Sequence, residues 1–160
     1  MTEMTVSRRK LFATGACVLA GTVALPAQER ASVLSGQNLV NEEIVRKWYA
    51  AWENNDLSTF NALLADNFTF SSAAGDDHIS KSTFKSQCWD TQVKFIEHFD
   101  LERISTGADD VFVKYLCHTK NGKAFRNVEY LRITNGKLES IECYFGAQSS
   151  FPSAVSTGQK

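Results

Sequence analysis

The chain has 160 residues, 43% of them hydrophobic, with 17 basic and 18 acidic side chains and a formal net charge of −1. That length fits one domain with one core. The near-neutral balance, with no Lys/Arg cluster beyond Lys10, excludes a nucleic-acid binder, which needs a concentrated basic face.

The first segment reads as an export signal over residues 1–27. Ser7-Arg8-Arg9-Lys10 is basic, Leu11 to Ala27 carries no charge, and Pro26-Ala27 offers a small-residue cleavage point. An arginine pair followed by Leu11-Phe12 has the layout of a twin-arginine signal, read by a translocase that moves folded proteins. The expectation is an exported protein, periplasmic or secreted, with no membrane anchor after cleavage. An uncleaved anchor is the alternative, the uncharged run being at the short limit for a bilayer span.

Residues 28–39 form a polar lead-in without a clear period. Asn41 is an N-cap candidate, with Glu42 and Glu43 in the first turn, where carboxylates meet the positive end of the helix dipole. Ile44, Val45, Trp48, Ala51 and Trp52 follow at helical spacing, so a helix is predicted over 42–54, with Val40 and Val45 placed as a hydrophobic staple. Asn54-Asn55 breaks it. Asp56 then caps a second helix with Leu57, Phe60, Leu63 and Leu64 as its stripe.

"NFTFSS", 67–72, is a short strand with Phe68, Phe70 and Ser72 on one face. A loop with Asp76-Asp77-His78 follows. It either brings a carboxylate and an imidazole to a cavity mouth or is solvated turn chemistry. Ser80 caps a third helix over 81–90. Four strands are predicted next, 92–104, 111–119, 123–134 and 138–146, and two of their separators contain Asn-Gly, a hairpin signal. The tail 147–160 is rich in Ser, Gly and Gln and is expected to be disordered.

These elements predict an α+β domain, a cone-shaped curved antiparallel sheet wrapped around the N-terminal helices. Helices on the open side of such a sheet leave a conical cavity, the default ligand site. Of the four cysteines, Cys17 falls in the signal. Strand parity turns Cys117 and Cys143 both inward, as buried thiols or as a 117–143 disulfide.

Glu129 stands out. In "FRNVEYLRI" it shares a strand face with Phe125, Asn127, Leu131 and Ile133, a carboxylate in the middle of the face that should look into the core. Walls of Trp48, Phe68, Phe70, Tyr115 and Phe145 would desolvate it and raise its pKa, poising it as an acid or base. Asn127 is its candidate orienting partner. The plainer reading is a structural carboxylate satisfied by Asn127, Tyr115 or water. Val128, Tyr130 and Tyr144 face away from the cone, an apolar outer patch that suggests a homodimer.

The stretches "RKWYAAWENNDLSTFNALLADNFTF" and "GKAFRNVEYLRITNGKLESIECYFG" resemble the nuclear transport factor 2-like superfamily, in particular its SnoaL-like members and more distantly the ketosteroid isomerases. The resemblance covers roughly 40–146 and implies a SnoaL-like α+β barrel. It also implies where an isomerase site would fall. The catalytic aspartate position is Ser72, the hydrogen-bonding tyrosine of the first helix is Trp48, and the protonated acid is Glu129. Only the last is kept in kind, so isomerase chemistry of that type is not expected.

No serine-hydrolase elbow, phosphate loop or dinucleotide fingerprint is present, so no cofactor is expected. His78, His98 and His118 lack linear metal-ligand spacing, so no metal is expected either. The function expected is an exported pocket protein acting by acid/base chemistry on a modest apolar or polycyclic molecule, with Glu129 and Asn127 catalytic and Trp48, Phe68, Phe70, Ser72, Tyr115 and Phe145 binding. A non-catalytic ligand- or protein-binding module is the alternative.

Overall fold

The computed structural model describes residues 27–145. All but the last residue of the expected signal, and the 147–160 tail, lie outside the described residues. The first helix, α1 (Ala27–Asn54), starts well before residue 42. In its early turns Ser32, Ser35, Gly36, Gln37, Leu39 and Val40 are exposed, and periodicity reveals a helix only where one side of it is buried.

Asn41 is therefore not a cap. It is fully buried inside α1 and its side-chain amide donates to the carbonyls of Gly107 (3.3 Å) and Ala108 (3.1 Å), tying the helix to a distant turn. The expected staple is absent for the same reason, and Val40 is exposed. The buried stripe of α1 comprises Ile44, Val45, Trp48, Tyr49, Ala51 and Trp52.

Asn55 stops α1 in the left-handed region (φ 51°), a conformation asparagine tolerates. Asp56 then caps α2 (Leu57–Leu63) through the Thr59 amide at 3.0 Å, as predicted. Next come β1 (Leu64–Ser72), β2 (Ile79–Ser80) and α3 (Lys81–Phe84), capped by Ser80 and continuing through a π-helical segment (Lys85–Trp89) into α4 (Asp90–Gln92). The last four strands are β3 (Ile96–Thr106), β4 (Asp110–Thr119), β5 (Ala124–Thr134) and β6 (Lys137–Tyr144). The β5–β6 turn is the Asn-Gly hairpin the sequence announces, with Asn135 (φ 52°) and Gly136 (φ 73°) both left-handed.

The sheet is mixed rather than purely antiparallel. Its order is β2-β1-β6-β5-β4-β3, and β1 runs parallel to β6 with Phe70 opposite Ile141 and Ser72 opposite Cys143. The sheet curves around the helices without closing, the α+β cone expected. Its concave side meets an aromatic cluster in which Trp48 stacks on Phe60 (centroids 5.5 Å) and Trp52 contacts Trp89 (4.7 Å). Burying each such ring is worth roughly 1.5–3 kcal/mol, so this cluster anchors the helices in the sheet's concavity.

Cys88, Cys117 and Cys143 are free thiols. Cys117 pairs with Phe125 and Cys143 with Glu129, on strands that flank β5 from opposite sides. Two strand spacings are about 9–10 Å, beyond the roughly 7 Å that a disulfide spans between Cα atoms. Parity placed both side chains inward correctly but could not count the strands between them.

Candidate functional site

A cavity of about 180 Å³ opens between α1, the α3–α4 segment and the concave face of the sheet. Its polar centre is Glu129 on β5, which is only 9% exposed. Oε2 accepts a hydrogen bond from the Tyr49 hydroxyl of α1 at 2.8 Å, and Oε1 accepts one from the Tyr115 hydroxyl of β4 at 2.9 Å. Asn127 donates to the Tyr115 oxygen at 3.0 Å and to Cys143 Sγ at 3.4 Å. The register explains the convergence. Tyr115 lies opposite Asn127, and Glu129 opposite Cys143, so side chains from three adjacent strands meet on one face.

Burial pushes the Glu129 carboxyl above its ordinary value, against the opposing pull of hydrogen bonds from Tyr49, Tyr115 and Cys143. Burial, and then the charge on Glu129, push both phenols well above theirs, so Tyr49 and Tyr115 stay protonated and remain donors. The Cys143 thiol is likewise pushed up by burial and by Glu129, and Cys117 is raised by burial to about 12, which leaves neither as a nucleophile near neutral pH.

The mouth holds a second carboxylate. Ser72 donates through Oγ to Asp76 Oδ2, and the Asp76 backbone carbonyl accepts from the Ser72 amide at 3.0 Å. Both residues line the cavity, with Asp76 half-buried. Asp77 and His78, by contrast, pair with each other in solvent, their side chains 86% and 74% exposed. Of the loop's two alternatives, Asp76 takes the first and its neighbours the second.

Trp48, Phe70, Ser72, Tyr115, Asn127, Glu129 and Phe145 line this one cavity, as placed from the sequence. Phe68 does not. It is buried against Phe84 (centroids 5.4 Å) in the core. A phenol does reach the carboxylate from the first helix, but it belongs to Tyr49 rather than to the position of Trp48. The signal for Tyr49 was available, since Val45, Tyr49 and Trp52 lie on the same helical stripe. Nothing local announces that its hydroxyl meets Glu129, 80 positions away.

The curved sheet with helices in its concavity is an arrangement shared with solved structures. The SnoaL-like domain family matches residues 45–141, more than half of the chain. The chain belongs to the SnoaL-like family. Curated proteins give no significant match. Among solved structures, a nuclear transport factor 2-like protein from Anabaena variabilis shares 17% identity over 76% of this chain and 96% of its own, with a TM-score of 0.60.

A protein of ketosteroid isomerase-like fold from Catenulispora acidiphila, in complex with trimethylamine, shares 20% identity over 74% and 98%, with a TM-score of 0.56. A de novo designed protein with a curved β-sheet matches equally well, at 15% identity over 68% and 87% and a TM-score of 0.59. A designed scaffold with the same shape makes the point that these likenesses carry the fold and not the chemistry.

Proposed function

We propose that this SnoaL-like protein is an acid/base enzyme of isomerase, cyclase or dehydratase type acting on a small molecule without a cofactor. The observation that carries the reading is Glu129, a desolvated acid in the wall of an apolar cavity, oriented by two phenols. Its neutral form donates a proton to a substrate oxygen. The carboxylate left behind accepts from Tyr49, Tyr115 and Cys143. Asp76 at the mouth takes the proton that the substrate loses. In a dehydration the protonated oxygen departs as water as the C–O bond breaks; in an isomerisation the double bond migrates. Asn127 is a positioning residue, holding Tyr115.

A cavity of about 180 Å³ resembles the roughly 150 Å³ site that accepts benzene and is smaller than the roughly 300 Å³ where pockets for drug-sized ligands begin. That volume favours a single-ring substrate over a polycyclic one. The test is hydrogen–deuterium exchange of monocyclic ketones in heavy water, followed by proton NMR. The wild type should label the carbon next to the carbonyl, and Glu129→Gln should label it about 10²–10⁴-fold more slowly.

A non-catalytic binder is the second reading, favoured by the fact that both Glu129 oxygens already accept phenol protons. Aromatic walls around a carboxylate suit a small alkylammonium, and the Catenulispora protein of this fold was crystallised with trimethylamine. Quenching of Trp48 and Trp52 fluorescence by such an amine, with no exchange on any ketone, would decide for this reading.

The same proposal includes export by the twin-arginine route, supported by Arg8-Arg9 and the uncharged run to Ala27. It also includes a homodimer through the outer face of the sheet. There Phe112 (50%), Val128 (37%) and Tyr144 (53%) are exposed, and Phe112 packs on Tyr130 at 4.8 Å.

A further inference from the structure

We propose that His98, Asp100 and His118 form a binding site for a first-row divalent cation, zinc first among them, on the face of the sheet opposite the cavity. His98 and Asp100 stand two apart on β3, so they share a face. Phe99 between them points the other way, with its ring 5.0 Å from that of Tyr49 at the cavity. His118 on β4 lies directly opposite His98, and the two imidazoles stack with centroids 4.2 Å apart and planes within 7°.

Both rings turn Nε2 to the same carboxylate. His118 Nε2 is 2.8 Å from Asp100 Oδ2 and His98 Nε2 is 3.6 Å from Oδ1. The three ligand atoms lie within 4.8 Å of one another. A tetrahedral zinc with ligand bonds near 2.0–2.2 Å holds its donors about 3.3 Å apart, so small side-chain rotations close the shell. The backbone is shaped for it as well. Register shifts between Ile96 and His98 and between Leu101 and Arg103 bracket the ligand run, and bulges of this kind re-aim side chains. The Phe99 amide within the run is fixed by Glu53 Oε1 at 2.7 Å.

Two imidazole nitrogens and one carboxylate oxygen suit zinc, copper(II) or nickel, and not magnesium or calcium, which want oxygen throughout. Three protein ligands leave a fourth position for water or an outside donor. Linear spacing concealed this set because the two histidines stand 20 positions apart and only the hairpin pairing brings them together. The ion would clamp the edge strand β3 to β4, stabilising the folded chain by mass action.

The test uses untagged, chelator-treated protein titrated with zinc chloride by calorimetry, beside thermal melts with zinc and with magnesium. One zinc per chain and a rise in melting temperature with zinc alone are expected. Binding should weaken at least tenfold in Asp100→Asn and in His118→Ala, and should be unchanged in His78→Ala. Cobalt(II) in place of zinc should give tetrahedral visible bands without thiolate charge-transfer absorption. Absence of zinc binding, binding that survives both ligand substitutions in variants with wild-type circular dichroism, or thiolate bands that move the ion to a cysteine would each overturn the site.

Discussion

Glu129 shows how one residue's meaning depends on its partners. Its pKa is raised by burial above the 4.5 of a solvated glutamate, so the folded state holds its proton more tightly than the unfolded state does. The stability this contributes is fully present below the ordinary value and is lost as pH rises through the folded one. Glu129→Gln lacks that loss. Urea unfolding from pH 4 to 8 should therefore show the variant gaining on the wild type as pH increases, and a constant difference would mean a solvated carboxylate. Tyr49→Phe removes one of two phenol donors and should push the Glu129 titration higher still, measured by carbon-13 NMR of the carboxyl. Leaving Oε2 without its donor should cost about 1–3 kcal/mol where Glu129 is ionised.

At the scale of elements, Asn41 and Gly136 test two different kinds of connection. Asn41 joins the middle of α1 to the β3–β4 turn, and it is fully buried. Asn41→Ala should cost about 1–3 kcal/mol in chemical denaturation, because it empties a fully buried position and removes two hydrogen bonds, to the Gly107 and Ala108 carbonyls, worth about 0.5–1.5 kcal/mol each. Asn41→Ser, a good cap but too short to bridge, should recover little of it; a full recovery would restore the capping interpretation. Gly136 sits at φ 73° with open space around the missing Cβ. Gly136→Ala should thus cost only the backbone strain, about 1 kcal/mol, with no clash to add to it.

For the molecule as a whole, the apolar outer face and the N-terminal arginines make two separable predictions. Phe112→Lys places a charge in the exposed patch while leaving the concave core untouched. Sedimentation equilibrium at micromolar concentration should show a dimer for the wild type and a monomer for the variant, whereas a monomeric wild type would end the dimer proposal. Arg8-Arg9 changed to Lys-Lys should strand the precursor in the cytoplasm, since the twin-arginine translocase reads the pair itself. Normal export of the lysine form would point to the general secretory route.

The sequence by itself determined what depends on neighbours in the chain. The Asp56 and Ser80 caps, the stripe on α1, the Asn-Gly hairpin and the inward face carrying Asn127 and Glu129 all follow from rules that act within about four residues, and the family resemblance of two longer stretches implied the fold. The tertiary structure alone decided what depends on pairing between distant segments. It set β1 parallel to β6, kept Cys117 and Cys143 two strands apart, gave Glu129 its phenol from Tyr49, put Asp76 beside Ser72 at the mouth, and stacked His98 on His118. Such contacts leave no local periodicity, because a hydrogen bond or a ligand shell constrains where two side chains meet in space and not how many residues separate them.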